Sequence, residues 1–358
     1  MSYVIGIDGI PLIRWGGYRR YLVELMPGLD GRLTDTIFNV YVDRPVRFQF
    51  PSARWRLCVV RRGMSPTSYF WLRYVLPGRL RRDGVDLFWG VRSILPADGA
   101  RRMLLTVHDL NVLIAPQTMP VATRLAHRMW LRDDVHRTDV LATVSKGTAH
   151  RVEEAFGRKA DGIVPPGVDV ERMRPRSPSE VGEVVRHYGL ARYILHVGTL
   201  EPRKNIAALI EAVSIVRREG QDLQLVLVGR AGWKRRKILQ AIAKAGQWVR
   251  VLGNVDDRDL PALYSGASVV AIPSLYEGYG IPAAEARACG ARLVVSDMPE
   301  LRESSGGAAI FVEPTAPAIA AGIRAALASP APPPAVVATW EESAGRLAGL
   351  MLAALRPV

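Results

Sequence analysis

Cysteine is nearly absent: the 358 residues hold two, Cys58 and Cys289. That is too few for a disulfide framework, and their spacing is not that of a metal site, so a disulfide-held secreted scaffold is excluded and a reducing compartment fits. Long apolar runs are missing as well, since no stretch reaches the roughly 18 consecutive apolar residues of a membrane span. The start, "MSYVIGIDGI", has no basic segment leading into a long apolar one. A cytoplasmic chain that neither spans a membrane nor is exported is expected. No repeat of about 20–50 residues is evident beyond a similarity of the two halves.

Lysine is scarce, supplying six of 48 basic residues, so the basic excess is arginine. The net charge is +14 and the pI near 10.2. Such a balance fits nucleic acid, an anionic membrane surface, phosphorylated substrates, or arginine spread over a solvated surface. The run "RLRR" at 79–82 follows "SYFWLRYVLP", an aromatic and basic stretch suited to an interfacial surface. A nucleic-acid role would want aromatic platforms interleaved with the basic groups, or a known module. Neither is found, and no nucleic-acid partner is expected.

The length exceeds that of a usual single domain, so two domains are expected. Short apolar or β-branched runs recur at Val4–Ile7, Ile37–Val42, Leu57–Val60, Leu104–Val107 and Leu141–Val144. A second set follows at Tyr193–Val197, Leu223–Val228, Val249–Leu252, Val269–Ile272, Leu293–Val295 and Ile310–Val312. Helix-patterned or loop segments separate them, which predicts an α/β chain of two Rossmann-like halves with parallel sheets. The Pro-rich, charged "PPGVDVERMRPRSPSE" at 165–180 marks the junction, and "ASPAPPP" at 328–334 marks a second break. The expected divisions are 1–170, 171–335 and a terminal helix in 336–358. That helix carries Trp340, Leu347, Leu350, Leu352 and Leu355 as a mostly apolar face, with a Thr339/Glu342 capping box.

The segment "HVGTLEPRKNIAALIEAVSIVRREG" runs from a strand through a Gly/Thr turn into a helix with Ile206, Leu209, Ile210 and Val213 on one face. Asn205 is placed to cap it, and Gly220 to stop it. Arg203 and Lys204 then sit at a sheet's C-terminal edge, just before a helix N-terminus, a good diphosphate site. Alone, such a pair also fits solvated loop charge. In "EGYGIPAAE", 277–285, Pro282 starts a helix that Gly290 ends, with Glu277 on the loop and Glu285 in the first helical turn. Gly278 and Gly280 let backbone N–H groups approach an anion. Two carboxylates around such a cradle suit two sugars joined by a diphosphate, although each alone also fits a dipole partner or an exposed loop acid. In the first half, "IGIDGIPLIRWGGYRRYLVEL" passes through Gly16 and Gly17 into a helix, a phosphate-loop shape without GxGxxG spacing. "LLTVHDL" ends a strand with His108 and Asp109 at the corresponding edge. In "VSKGTAHRVEE" the cap is Ser145 or Thr148.

Taken together, "HVGTLEPRKN", "LVLVGRAGW", "VRVLGNVDDRDLPALYSGA" and "SLYEGYGIPAAEARACGARLVVSDMPELRE" resemble the C-terminal half of the retaining family-four glycosyltransferases of GT-B fold, including an E-x7-E motif. "GGYRRY", "TVHDL", "ATVSKGT" and "PPGVD" extend the resemblance over most of the chain. It implies two Rossmann-like domains facing across a cleft, with the terminal helix crossing back to the first. It implies Arg203 and Lys204 on the donor diphosphate, Glu285 on the nucleotide ribose, Glu277 on hydroxyls of the transferred sugar, Gly16 and Gly17 facing the phosphates, and His108 beside the reacting carbon. Gly198, Gly229, Gly278, Tyr279 and Gly280, all within the quoted motifs, join the substrate-binding set. Arg19 departs from the pattern, because relatives often carry a small residue two positions after the turn glycine. It would contact an acceptor phosphate or hold the turn differently.

The implied chemistry is same-face transfer in which the departing phosphate oxygen takes the acceptor's proton. Arg203, Lys204 and loop N–H groups would stabilise the leaving diphosphate, and domain closure would exclude water. No Asp-x-Asp motif is read in the sequence to hold a catalytic metal, the two cations can replace one, and neither a metal nor a cofactor is expected. The style of the motifs resembles bacterial polysaccharide mannosyltransferases and rhamnosyltransferases, which puts GDP-mannose first among donors with UDP sugars behind. The expected acceptor is a growing glycan on a polyprenyl diphosphate, with peripheral contact to an anionic membrane. The rival readings are a GT-B epimerase or phosphorylase, a scaffold subunit of the same fold without turnover, or a nucleic-acid-binding protein.

Overall fold

The computed structural model describes residues 2–13 and 16–356. Arg14 and Trp15, inside the first glycine-turn segment, lie outside the described residues. Two compact units divide the chain: 1–113, 119–166 and 340–358 in one, and 114–118 with 167–339 in the other. The chain therefore leaves the first unit after Pro166 rather than at residue 170, and rejoins it at Trp340 rather than at 336. In the second unit the two crossings lie side by side, with the Val168 N–H donating to the Ala338 carbonyl at 2.9 Å. Residues 114–118 go with the second unit because Lys234 Nζ donates to the Gln117 carbonyl at 2.6 Å and Trp233 Nε1 to that of Thr118.

The first unit is built on strands β1 (Tyr3–Asp8), β2 (Thr36–Val42), β3 (Trp55–Val59), β4 (Leu87–Gly90), β5 (Arg102–Val107), β6 (Val140–Thr143) and β7 (Gly162–Ile163), in the order β3-β2-β1-β4-β5-β6-β7. Every pairing between them is parallel. Central strands buried on both faces are mostly apolar, as in β5, where Leu104, Leu105 and Val107 are fully buried and Thr106 is the one buried polar residue among them. The unit's helices include α1 (Gly17–Arg32), α2 (Leu76–Arg82), α3 (Val121–Arg137) and α4 (Lys146–Phe156), the last capped by Ser145 Oγ accepting from the Thr148 N–H at 2.9 Å. α1 buries Tyr21, Leu22, Leu25, Met26 and Leu29, one face at helical spacing.

The second unit has β8 (Tyr193–Val197), β9 (Gln224–Val228), β10 (Val249–Gly253), β11 (Val269–Ile272), β12 (Leu293–Ser296) and β13 (Ile310–Val312), in the order β10-β9-β8-β11-β12-β13, again parallel. Helix α5 (Ile206–Arg218) presses Ile206, Leu209, Ile210 and Val213 into the core. Its cap differs from the expectation. Asn205 is left-handed (φ 56°), and its side-chain amide donates to the Pro314 carbonyl at 2.8 Å instead of bonding the helix. Helices α6 (Leu260–Gly266) and α7 (Ile281–Ala288) flank the glutamate-containing loop.

The terminal helix α8 (Trp340–Leu355) belongs to the first unit and packs on α1. Gly28 permits this, since a Cβ there would fall 2.5 Å from the Ala344 Cβ. The buried stripe is Trp340, Ala344, Leu347, Ala348 and Met351, while Leu352 is exposed. That choice follows the helical repeat rather than side-chain size. The stretch "SYFWLRYVLP" also departs from the interfacial reading. Tyr69, Trp71, Leu72 and Leu76 are core, Arg73 pairs with the buried Asp134 at 2.6 Å, and Tyr74 and Val75 remain exposed. Among the described residues no helix is long and apolar enough to cross a membrane.

Candidate functional site

Ligands of open α/β sheets bind at the C-terminal strand ends, and in the second unit the ends of β8 and β11 hold an ion-pair cluster. Lys204 Nζ donates to Glu277 Oε1 at 2.5 Å, and Arg203 Nη1 donates to Glu277 Oε2 at 2.8 Å and to the Tyr276 carbonyl at 2.9 Å. Ser274 Oγ completes the carboxylate's shell at 2.7 Å. Behind Arg203, Glu201 Oε1 accepts from Nε at 3.1 Å and pairs with Nη2 at 2.9 Å. The Leu275 N–H donates to the Arg203 carbonyl at 2.8 Å, fixing one loop to the other. Lys204, Glu201 and Glu277 are all buried. Burial alone would raise the Glu277 pKa, but Lys204 and then Arg203 outweigh it and hold the carboxyl at about 2. Burial pushes Glu201 upward against the pull of Arg203 and Lys204. With all four ionised the cluster is neutral, and Glu277 occupies both cations.

The glycines shape the space beside this cluster. Gly229 (φ +138°) brings β9's end against β8's, where a Cβ would lie 2.1 Å from the Gly198 carbonyl oxygen, so no other residue fits. Gly280 (φ +100°) precedes α7, and a Cβ on it would meet Leu301 at 2.5 Å. Gly278 and Tyr279 lie buried in the same loop. Glu285 is placed differently from the expectation: it sits one turn into α7, fully buried, and accepts from Tyr264 Oη at 3.0 Å. Pro282 leaves the helix start with one amide fewer, and the first turn carries no acid.

In the first unit Gly16 and Gly17 are exposed at the N-terminus of α1, with nothing within 4 Å of the Cβ either would carry. Arg19 is half-buried in that first turn. His108, one residue past β5, is held edge-on by Tyr18 and Tyr21 at centroid distances of 4.7 and 4.6 Å. Its ring bonds the Val91 backbone, its Nε2 has no partner among the described residues, and burial holds its pKa down to about 4, so the imidazole is neutral. Asp8 and Arg92, far apart along the chain, form a buried ion pair at 2.6 Å at the ends of β1 and β4, with Ser68 Oγ at 3.2 Å from Arg92 Nη1.

The structure thus gathers Arg203, Lys204 and Glu277 in one unit and sets Gly16, Gly17, Arg19 and His108 along one edge of the other. Sequence reading missed Glu201, Ser274, His196 and Tyr264. His196 lies within the quoted "HVGTLEPRKN" but signals nothing until the fold buries it, its Nδ1 bonded to the Ala271 carbonyl at 2.8 Å. An Asp-x-Asp spacing does occur, at Asp257 and Asp259. It lies in the turn before α6, where Asp259 accepts from Tyr188 Oη at 2.8 Å. Among the described residues no group of three or more His, Cys, Asp or Glu side chains is arranged to hold a metal.

The chain is similar to known proteins. The family described as "Glycosyl transferases group 1" matches residues 183–339. O-antigen chain mannosyltransferase B of Escherichia coli is 34% identical over 240 residues, covering 65% of this chain and 63% of that protein. Serotype-specific mannosyltransferase WbdA of Escherichia coli is 26% identical over 212 residues, covering 55% of this chain and 26% of its own. The chain therefore spans less than two thirds of the length of these curated relatives. In three dimensions, sucrose-phosphate synthase of Thermosynechococcus elongatus superposes with a TM-score of 0.73 at 20% identity, covering 99% of this chain and 95% of that one. The fold is GT-B, and the chain carries a glycosyl transferases group 1 domain homologous to the O-antigen mannosyltransferases.

Proposed function

We propose that this chain is a retaining glycosyltransferase of bacterial surface polysaccharide synthesis, with GDP-mannose as the first-choice donor and a glycan on a polyprenyl diphosphate as acceptor. The observation that carries this reading is the buried Arg203–Lys204–Glu277 cluster at a sheet's C-terminal edge. Two cations held ready by one internal carboxylate are what a diphosphate leaving group requires, and the names of the homologous mannosyltransferases support the sugar. In the transfer step the bond between the anomeric carbon and the diphosphate oxygen breaks. Arg203 and Lys204 take up the charge that grows on that oxygen, which removes the acceptor's hydroxyl proton. The acceptor oxygen then bonds the anomeric carbon on the face just vacated. Glu277, released from Lys204 by the incoming phosphates, accepts from sugar hydroxyls, and the neutral His108 offers Nε2 as an acceptor beside the sugar. No metal or cofactor enters this scheme.

Thermal melting against a panel of nucleotide sugars, with donor hydrolysis followed in parallel, tests it. One donor should stabilise the protein, by about 2.7 kcal/mol at a hundredfold its dissociation constant, and be slowly hydrolysed. If no nucleotide sugar moves the transition, the reading fails and a scaffold without turnover replaces it.

A peripheral seat on the cytoplasmic face of an anionic membrane fits the same acceptor. Tyr74 (60% exposed) of the "SYFWLRYVLP" stretch and Leu125 (52%) and Met129 (46%) of α3 share the first unit's surface with the exposed Arg128 and Arg132. Sedimentation with phosphatidylglycerol vesicles should carry the protein down, less so at high salt, and equal recovery with phosphatidylcholine vesicles alone would rule the seat out.

A further inference from the structure

A parallel sheet normally has apolar side chains and covering helices on both faces, yet one face of β1–β2–β3 sets Asn39 and Arg56 among its apolar residues. The register aligns Val4 with Ile37, Gly6 with Asn39 and Arg56, and Tyr41 with Cys58, so these residues share a face. The chain between β2 and β3, residues 43–54, forms no helix to cover it. Leu76 and Leu80 of α2 join Tyr41 in the core, while Arg79 of that helix and Asp83 just after it border what they leave uncovered. What remains is a cavity of about 210 Å³ floored by Val4 and Ile37, with Asn39, Arg56, Cys58, Arg79 and Asp83 around it.

The charges in this cavity do not balance. Asp83 is already committed, accepting from Tyr41 Oη and Arg79 Nε, both at 2.8 Å. Arg56 has no ion pair and no hydrogen bond among the described residues, and Arg79's terminal nitrogens have none either. Burial and then Asp83 push the Cys58 thiol up, and both guanidiniums lie near enough to pull it back down. One cation is therefore left over, beside a second whose outer N–H groups are unspent, in a recess lined by an amide. A guanidinium fork matches an oxyanion's geometry.

We propose that this cavity is a binding site for a small oxyanion, a phosphate or a phosphorylated metabolite, held between Arg56 and Arg79 with Asn39 as the neutral partner. Val4, Ile37 and Arg56 belong to the N-terminal halves of their strands, whereas His108 and Asp8 mark the C-terminal ends. A ligand here leaves those strand ends free, so the site acts beside the transfer reaction and not within it.

Cys58 reports on occupancy from inside the cavity. It is half-buried, while Cys289 is fully buried with its thiol pushed up to about 12, so a small thiosulfonate reagent at mildly alkaline pH labels Cys58 first. Inorganic phosphate should slow that labelling, about threefold when present at twice its dissociation constant, and sodium chloride of matched ionic strength should not. Arg56→Gln removes an exposed, unpaired side chain and should leave the melting temperature unchanged; because losing the cation itself slows the unliganded thiol, protection is read as the ratio of labelling rates without and with phosphate in each protein, and that ratio should fall to one in the variant. Phosphate bound at Arg203 and Lys204 would not shield this thiol, so the result does not depend on the donor reading. Equal slowing by chloride and phosphate, or undiminished protection in Arg56→Gln, would overturn the proposal.

Discussion

Lys204→Ala is expected to lower kcat for sugar transfer by about 10²- to 10³-fold, roughly the 3–4 kcal/mol lost when one preorganised donor to a developing oxyanion is removed. The ammonium is buried and held by one carboxylate at 2.5 Å, so its orientation is set before substrate arrives. Glu277 is not stranded by the change. It keeps Arg203 at 2.8 Å and Ser274 at 2.7 Å, and the chain should still fold. The expected signature is a fall in kcat larger than any rise in KM, because the charge that Lys204 meets is greatest in the transition state. Glu277→Gln supplies the contrast. It removes the anion that competes with the donor's diphosphate, so the bare nucleoside diphosphate should bind more tightly while transfer slows. Unchanged kcat in Lys204→Ala, with the melting temperature preserved, would mean that the leaving group is stabilised elsewhere and would remove the central element of the proposed mechanism.

How much of this was legible in the sequence depends on the range over which each signal acts. The runs Tyr193–Val197, Val269–Ile272 and Ile310–Val312 coincide with β8, β11 and β13, because strands of a covered parallel sheet are predominantly apolar on both faces. β4 and β7 escaped notice: four residues ending in glycine and two residues carry too little pattern to read. Arg203 and Lys204 could be placed at a sheet edge from local spacing alone. That Glu277, 73 residues beyond Lys204, would close on them is a tertiary fact that only the quoted family motif foreshadowed. Asn205 shows the limit of residue-type rules. It has the side chain of a cap, but its left-handed backbone turns the amide toward Pro314. The Asp8–Arg92 pair spans 84 residues and has no local signature at all.

Acid should destabilise this protein from about pH 6.5 downward, above the ordinary carboxylate range. Burial lowers the pKa of His108, His127 and His196 from 6.5 to about 4 in each case. Asp109 opposes this at the first two, Arg92 adds to it at His127, and Lys204 adds to it at His196. Above pH 6.5 the three rings are neutral in both states and contribute no slope. Between 6.5 and 4 the unfolded chain binds protons that the native one refuses, so stability falls as pH falls, by up to about 1.4 kcal/mol per pH unit for each ring. The loss is on the order of 1–3 kcal/mol per histidine by about pH 4. Glu277 acts in a lower window: its pKa is depressed from 4.5 to about 2, and the stability it adds above 4.5 is lost only as pH falls toward 2. Urea unfolding from about pH 7.5 down to about 4.5 should therefore show a midpoint that drops steeply below roughly 6.5. His127→Leu should flatten that slope by one proton's share, since neither His127 ring nitrogen has a well-aligned hydrogen-bond partner among the described residues and an apolar side chain loses little there. A midpoint constant from about pH 7 to about 5 would show that these rings take up protons in the native state, and that the strand ends where His108 and His196 sit are wetter than their packing implies.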